Sequence, residues 1–522
     1  MKKNILYIAL LGVMSLMTVS CNSELDIEKH GNMGSMDTYY TTDDNIMTGT
    51  ASLYLEVKSA YYNWFFVKNL LSDDAWCGGG QRGDNGEMEK LNEYSFDSNH
   101  GMIESLYKGF YGIIYKANLL IDKTPESGSD VAKRAINEAK VFRALAHFEL
   151  VTLFGTAPVV NHLLTPDEYQ QSNSTPEELY ASVEKDLTEA INSGALPSKT
   201  DANDAETGIR ATKEFAQALL GKAYLFQGKN SEAASMLDNV INSNKYALFA
   251  GEYDAQFHAA ANNNCESVFE LQKRNDPEQL WNTFDMVYIM QGWRTSVLSY
   301  GGEALSTLAL GNYGFFNPRK SLYDAFVEWE GEDGYRKNKT IWNIEQLKAF
   351  GVDVQPGASV YGNEGYFFWK NQAFRDDCAA DMSYFQVGQF IDLKVMRYAE
   401  VLLLAAEANL QAGNTTKALD YINQIRTRAQ ETPLTTVTLS DIKMEKRLEL
   451  CNEGVRYQDL VRWGDAKAAM GEQGKQVPAF TGSDVQWNWQ NTKYGFQDKN
   501  NLLPIPLKEL ELNPNMTQNT GW

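Results

Sequence analysis

The chain has 522 residues, of which 43% are hydrophobic, and its formal net charge is -21. This apolar content is enough for a large core and excludes a disordered chain. The negative charge excludes a nucleic-acid-binding protein, because phosphate binding needs dense Lys and Arg. Aromatic residues are numerous, with 11 Trp, 27 Tyr and 24 Phe. They fit either a large core or exposed surfaces that stack against sugar rings.

The first 20 residues have the pattern of a bacterial export signal. Lys2 and Lys3 precede an apolar stretch, residues 5–19, that is short for a membrane span. A cysteine, Cys21, follows at the expected cleavage point. We therefore expect residues 1–20 to be a lipoprotein signal peptide, Cys21 to carry the lipid, and residues 21–50 to form a polar tether. Plain secretion without a lipid is the alternative.

Amphipathic helical patterns dominate the sequence after the tether. In chain order they predict helices over residues 54–71, 103–122, 138–154 and 176–192. The fourth has a complete start signal: Thr175 is the N-cap, Pro176 takes the first helical position, and Glu178 lies three residues after the cap.

Two later segments, 217–242 and 402–425, repeat one spacing of small residues, a glycine and larger apolar residues. This is the tetratricopeptide pattern, in which small residues let two antiparallel helices pack closely and the glycine opens the turn. Residues 138–154 and 176–192 fit a third pair split by an insertion, and a helix over 440–462 would cap the stack. The predicted fold is mainly α, with tetratricopeptide-like helix pairs in a right-handed superhelical scaffold.

Residues 244–390 differ from the helical segments around them. Gly, Asn, Tyr, Trp and Phe become more frequent and the helical periodicity weakens. We interpret this part as loops and short strands inserted into the scaffold, where binding function is usually found. Residues 51–522 are thus predicted to form one domain, with helical repeats at about 103–243 and 392–464.

The sequence has no recognisable catalytic or metal-binding motif. The histidine-rich zinc motif, the phosphate loop and the serine elbow are absent, so we predict no cofactor and no catalytic residue. The two carboxylates of a glycosidase have no sequence signature, so a surface glycoside hydrolase stays an alternative. The spacing of the remaining cysteines excludes a metal cluster but leaves a disulfide open: Cys77, Cys265, Cys378 and Cys451.

Four sequence blocks together carry a family resemblance. Residues 137–155 end in Phe-Gly, residues 392–409 contain Arg-Tyr-Ala-Glu-Val-Leu-Leu-Leu, residues 445–464 end in Asp-Leu-Val-Arg-Trp-Gly, and residues 503–522 contain Pro-Ile-Pro, Asn-Pro and Gln-Asn. In these blocks, and in their order, the chain resembles the SusD/RagB outer-membrane lipoproteins of Bacteroidetes. The resemblance extends across nearly the whole chain.

The resemblance implies a lipid-anchored protein on the cell surface that is not an enzyme. Such proteins cover a SusC-like TonB-dependent transporter, bind glycans or in some members peptides, and pass them to the pore. It implies that the helical repeats contact the transporter and that the ligand lies on the opposite, loop-rich face. It does not indicate which glycan is bound.

Sugar rings stack on exposed aromatic rings, while nearby polar side chains bond their hydroxyls. The best candidate is Trp76, in a glycine-rich segment that also contains Asp73, Asp74, Arg82, Asp84 and Asn85. A second group lies in the insertion and consists of Trp281, Tyr288, Trp293 and Arg294.

Both groups fit either ligand contact or packing. A calcium ion in the acidic glycine-rich segment is a minor alternative. The weaker aromatic candidates are Trp329, Trp342, Tyr361 and Trp369, whereas Tyr398, Tyr457 and Trp463 are predicted to be core.

Overall fold

The computed structural model describes residues 36–126, 128–276, 278, 286–379 and 388–522. The helices are α1 Met36–Tyr39, α2 Asp43–Leu70, α3 Gly86–Glu93, α4 Gly101–Lys123, α5 Asp130–Phe154, α6 Pro176–Asn192, α7 Ala205–Gly208, α8 Lys213–Phe226, α9 Asn230–Asn242, α10 Val287–Met290, α11 Gly302–Thr307, α12 Lys320–Glu330, α13 Tyr335–Asn338, α14 Ile344–Phe350, α15 Tyr398–Gln411, α16 Thr415–Arg428, α17 Leu439–Glu449, α18 Arg456–Trp463, α19 Ala466–Met470 and α20 Leu507–Leu512.

Within the described residues, the strands are short and are distributed over five small antiparallel sheets. They are β1 Ala75–Gly78, β2 Ser267–Leu271, β3 Leu298–Tyr300, β4 Phe315–Pro318, β5 Ile341–Asn343, β6 Val352–Val354, β7 Val360–Tyr361, β8 Tyr366–Phe368, β9 Leu393–Arg397, β10 Gln476–Phe480 and β11 Val485–Trp489. Across the described ranges, no helix is both long and apolar enough to cross a bilayer.

The helices form the predicted stack of antiparallel pairs. α5 packs on α6, α8 on α9 and α15 on α16, while α6 contacts α8 and α9 contacts α15, so neighbouring pairs are joined. The start of α6 is as predicted, because the Thr175 hydroxyl accepts from the Glu178 N–H and the Glu178 carboxylate accepts from the Thr175 N–H. The mainly α, tetratricopeptide-like fold is therefore confirmed.

In the helical repeats, glycines form the turns within each helix pair and allow the two helices of a pair to approach closely. Gly228 and Gly413 open the turns of the α8–α9 and α15–α16 pairs with φ of 73° and 86°, a left-handed conformation that glycine adopts without strain. Gly221 lets α8 approach α9 closely, since a Cβ there would lie 2.6 Å from Leu237 Cγ. These positions explain why small residues recur in both repeats.

Gly221→Ala should destabilise the protein by about 1–3 kcal/mol, because Leu237 must shift within a packed core. Urea denaturation of the variant would measure the loss. Gly86→Ala is the control, since no atom lies within 4 Å of a Cβ built at that helical position. Equal stability of the two variants would show that close approach of α8 and α9 does not depend on Gly221.

Two predicted boundaries differ from the structure. α2 begins at Asp43 and not at residue 54, its N-cap Thr42 accepts from the Asn45 N–H, and Ile46 is buried, so the body starts before residue 51. The predicted helix over 440–462 is two helices, α17 and α18. Between them Asn452 and Gly454 take φ of 62° and 76°, which a continuous right-handed helix does not allow.

The predicted insertion is more ordered than loops and short strands. It contains α12 and α14, and it has a small core of its own that includes Trp293, Leu347, Phe367 and Trp369. Its strands also pair with segments outside it: β4 with β1, β7 with β10 and β2 with β9. The insertion is thereby attached to both flanking parts of the chain.

A buried group of charges joins the insertion to the helical scaffold. Arg336, at α13, is completely buried and forms ion pairs with Glu330 of α12 and with Glu445 and Glu449 of α17, at 2.7–3.0 Å. Burial alone would raise the pKa of Glu449, but Arg428, Arg397 and Arg336 hold it well below its usual value. The carboxylate is therefore ionised in the folded protein.

Candidate functional site

Trp76 lies in strand β1 and not in an open loop. Its residue pairs with Asn317 of β4, and only 6% of its surface is exposed. The indole Nε1 donates to Glu364 Oε2 at 2.8 Å, and the Arg319 guanidinium lies 3.5 Å from the ring centroid. The expectation of an exposed Trp76 is therefore wrong, because the glycine-rich segment is partly a paired strand.

The two carboxylates that precede Trp76, those of Asp73 and Asp74, have a structural role. Asp73 forms two hydrogen bonds with Arg456, at 2.8 and 2.9 Å, and Asp74 accepts from Arg447 at 2.8 Å. Burial alone would raise the pKa of Asp73, but Arg447 and Arg456 hold it well below its usual range. Both carboxylates tie β1 to α17 and α18, so neither is open to a ligand.

The far end of the glycine-rich segment contains three predicted site residues, of which Arg82 and Asp84 are exposed and Asn85 is half-buried. Asn85 caps α3, since its Oδ1 accepts from the Met88 N–H. Arg82 is held by Glu93 and Glu89. Asp84 accepts from the Gly80 N–H at 2.7 Å.

The structure brings Asp84 together with Arg294, which lies 210 residues later in the chain. Arg294 Nη1 donates to Asp84 Oδ2 at 3.1 Å and to the Tyr313 carbonyl at 3.0 Å. Tyr313 itself is exposed. The two predicted groups therefore meet at this pair, although not through the predicted tryptophans.

The tryptophans of the insertion are mostly core residues. Trp293 is 4% exposed, donates Nε1 to the Phe368 carbonyl at 3.2 Å, and packs near Trp342 and Trp369. Those two indoles stack on each other with centroids 4.1 Å apart. Of the two alternatives left open for Trp293, packing therefore applies and ligand contact does not, whereas Trp281 lies outside the described residues.

Of the three residues predicted to be core, Tyr398 and Tyr457 fulfil that expectation and Trp463 does so only in part. Tyr398 and Tyr457 are buried. Trp463 is half-buried and donates Nε1 to Glu407 at 2.9 Å. Of the remaining weak candidates, Trp329 is half-buried and donates to Glu445 at 2.8 Å, whereas Tyr361 lies half-buried in β7 beside the glycine-rich segment.

Tyr288 is half-buried and packs beside a carboxyl with an unusual pKa. Its hydroxyl donates to the Asp392 backbone carbonyl at 3.2 Å, and the Asp392 side chain accepts from the Lys273 N–H at 2.6 Å. Burial, together with the neighbouring Glu270 carboxylate, raises the pKa of Asp392 to about 7. Lys394 and Lys273 oppose that rise.

This raised pKa predicts a pH-dependent stability. Because the folded-state pKa lies above the ordinary value of 3.8, the folded protein binds an extra proton between about pH 4 and pH 7. The contribution of the Asp392 carboxyl to the free energy of unfolding is fully present below about pH 4, and it is lost as the pH rises through about 7. Relative to Asp392→Asn, we expect the wild type to lose about 2–3 kcal/mol between pH 5 and pH 8.

Urea denaturation at both pH values would measure this difference, with the exposed Asp376→Asn as control. Parallel pH dependence in wild type and Asp392→Asn would contradict the prediction.

Two exposed tryptophans that are not among the predicted site residues lie on β11. Trp487 is 47% exposed and Trp489 is 67% exposed. They are two residues apart in a strand, so their side chains project from the same face about 7 Å apart. The alternation in Val-Gln-Trp-Asn-Trp, after the Gly482-Ser483 turn, is a strand signal that could have revealed this pair.

The aromatic pair Trp487 and Trp489, which we call the indole face, adjoins the predicted segment. Trp76 and Trp487 form a T-shaped contact, with centroids 6.0 Å apart and planes at 66°. Asp84, Arg294 and Tyr313 lie toward the other end of β1, past Gly78. The arrangement offers two neighbouring exposed rings, with carboxylate, amide and hydroxyl groups nearby, which suits a ligand with alternating apolar faces and hydroxyls.

A wide cleft of about 630 Å³ lies elsewhere, on the helical repeats between residues 244–248 and α16. Asp420, Gln424 and Thr427 line it, and its two tyrosines, Tyr246 and Tyr398, are buried. Because it presents no exposed aromatic ring of that kind, it suits sugar stacking less well than the indole face.

The part of the chain that the structure describes contains neither a metal site nor a disulfide beside the indole face. Within the described ranges, no group of three or more His, Cys, Asp or Glu side chains could hold a metal ion. The four described cysteines are free thiols: Cys77, Cys265, Cys378 and Cys451.

Comparisons with known sequences match one family over almost the whole described chain. The profile described as "SusD family" matches residues 265–522, and the profile described as "Starch-binding associating with outer membrane" matches residues 42–225. A SusD-like protein of Bacteroides ovatus is 25% identical, over 89% of this chain and 83% of its own length. The starch-binding protein SusD of Bacteroides thetaiotaomicron is 24% identical, over 100% and 99%.

Solved structures give the same result for the fold. A laminarin-binding SusD-like protein is 28% identical with a TM-score of 0.77, over 92% of this chain and 100% of its own. A surface glycan-binding protein of Bacteroides thetaiotaomicron, solved with laminarihexaose, has a TM-score of 0.74 at 22% identity, over 92% and 99%. With two family profiles and helical architecture in agreement, the chain belongs to the SusD family.

Proposed function

We propose that this protein is a surface glycan-binding protein that captures oligo- or polysaccharides on the indole face. The observation that carries the proposal is the exposure of Trp487 and Trp489 on one face of β11. A soluble protein gains nothing from leaving two large indoles in water, whereas a sugar-binding protein needs such rings. Their placement at the rim of the insertion fits ligand capture by a segment held on a rigid scaffold.

The comparisons support a glycan over other ligands. The relatives named above include starch-binding and laminarin-binding proteins. We further propose that the chain binds without cleaving its ligand, because these relatives are described as binding proteins. Peptide capture and a surface glycoside hydrolase are the alternatives that the binding experiment below must separate.

We also propose delivery of the bound glycan to a SusC-like TonB-dependent transporter, with a lipid on Cys21 anchoring the protein at the outer membrane. The family's association with the outer membrane supports this location. Cys21 lies outside the described residues, and 21 residues separate it from Asp43, where α2 begins. The helical repeats would face the transporter and leave the indole face free for ligand.

Native affinity gels test the proposal. The soluble form from Asn22 would be run in gels containing plant, fungal and host polysaccharides, and reducing-sugar release would be assayed in parallel. Retardation by one class without release would support the proposal. Release of sugar would favour the hydrolase, and the absence of retardation in every gel would favour a peptide ligand.

A further inference from the structure

We infer that the binding surface selects neutral glycans over glycans that carry carboxylates, and that Glu364 is the residue responsible. This inference rests on the proposed function and adds a substrate class to it. Glu364 and the indole face contact the same ring, since Trp76 donates to Glu364 Oε2 and forms a T-shaped contact with Trp487. The carboxylate is therefore adjacent to the rings on which a sugar would stack.

The two oxygens of Glu364 are in different situations. Oε2 accepts from Trp76 Nε1 at 2.8 Å and from the Lys320 backbone N–H at 2.9 Å, which fixes the position of the carboxylate. Within the described residues, Oε1 accepts no hydrogen bond. It is also not enclosed, so a ligand can reach it. The half-buried Glu364 thus presents one oxygen that can accept from a sugar hydroxyl.

The cations around β1 are committed to other partners. Arg319 lies against Trp76, donates to the Ala75 carbonyl at 3.1 Å, and is buried. Lys320 forms two hydrogen bonds of 2.6 Å with Asp324. The Arg319 guanidinium is thus enclosed, and the ammonium of the exposed Lys320 is offset by the Asp324 carboxylate, so Lys320 and Asp324 together add no net charge beside Trp76.

The exposed arginines of the glycine-rich segment and its neighbour add no free positive charge. Arg82 faces two carboxylates, Glu89 and Glu93. Arg294 is paired with Asp84. A uronate or other acidic sugar would therefore meet the Glu364 carboxylate where the exposed neighbouring cations are already paired with carboxylates, whereas a neutral sugar would offer hydroxyl donors to the same oxygen.

The test compares each neutral hexose polysaccharide of the panel with the same polysaccharide after oxidation of its C6 hydroxymethyl groups to carboxylates. The wild type should bind the neutral form at least about tenfold more tightly in native gels. Glu364→Gln should lower this ratio about fivefold or more, because an amide removes the charge and presents a donor to the carboxylate. Tryptophan fluorescence and the melting temperature would show whether each variant is folded.

Asp484→Asn, in the exposed turn before β11, is the charge-matched control and should leave the ratio unchanged. Equal ratios in wild type and Glu364→Gln, or an equal drop in Asp484→Asn, would overturn the assignment to Glu364. Preference of the wild type for oxidised forms would overturn the selectivity itself. Failure to bind any polysaccharide is a separate result, which refutes the proposed function and the inference with it.

Discussion

Replacement of both Trp487 and Trp489 with alanine should abolish retardation in native gels and leave the fold intact. Each ring that stacks on a sugar should contribute roughly 1.5–3 kcal/mol, from the apolar area that the contact removes from water. A single substitution should therefore weaken binding roughly 10- to 150-fold. Because Trp489 is 67% exposed, its loss alone should change the unfolding free energy by less than about 0.5 kcal/mol. Trp487 also covers Trp76, so its loss should cost about 1–2 kcal/mol, which leaves the protein folded.

Tyr169→Ala is the matched control for this experiment. Tyr169 is 63% exposed, but it lies in the connection between α5 and α6 and not on β11. It should leave glycan affinity unchanged. Wild-type affinity in the Trp487 and Trp489 variants would show that the ligand binds elsewhere. Trp76→Ala is a weaker test, because removal of that buried ring also unpacks Arg319.

Arg336→Met should destabilise the protein more than Gly221→Ala does. It removes the cation that lies among Glu330, Glu445 and Glu449 and leaves three buried carboxylates without it. Breaking a buried pair in this way costs about 3–5 kcal/mol, because an uncompensated charge stays buried. The insertion should loosen from α17, which hydrogen exchange of β5 and α12 would detect.

The exposed Arg375→Met is the control and should change stability by less than about 0.5 kcal/mol. Equal stability of the two variants in urea would contradict the role of Arg336 in joining the insertion to the scaffold. Restored stability at low pH, where the carboxylates bind protons, would support it.

The helical scaffold could be predicted because its signals are local. The capping residues of α6 and the glycines at the α8–α9 and α15–α16 turns each act within a few residues of where they occur. The break between α17 and α18 escaped prediction because an amphipathic pattern continues across it. Asn452 and Gly454 were the available signal.

The site was harder to predict, because exposure depends on residues that are distant in the sequence. Trp76 is buried by Arg319 and Trp487, which lie 243 and 411 residues later in the chain. Trp293 is buried by the small core of the insertion, which forms only when its strands assemble. Conversely, Trp487 and Trp489 lie on β11, the edge strand of its sheet, and remain 47% and 67% exposed.

The most direct test of glycan capture on the indole face is a crystal structure of the soluble form with an oligosaccharide from the class that retards it. We predict sugar rings stacked on Trp487 and Trp489, with a hydroxyl within hydrogen-bond distance of Glu364 Oε1. Sugar bound in the cleft beside α16, with the indole face empty, would contradict this prediction.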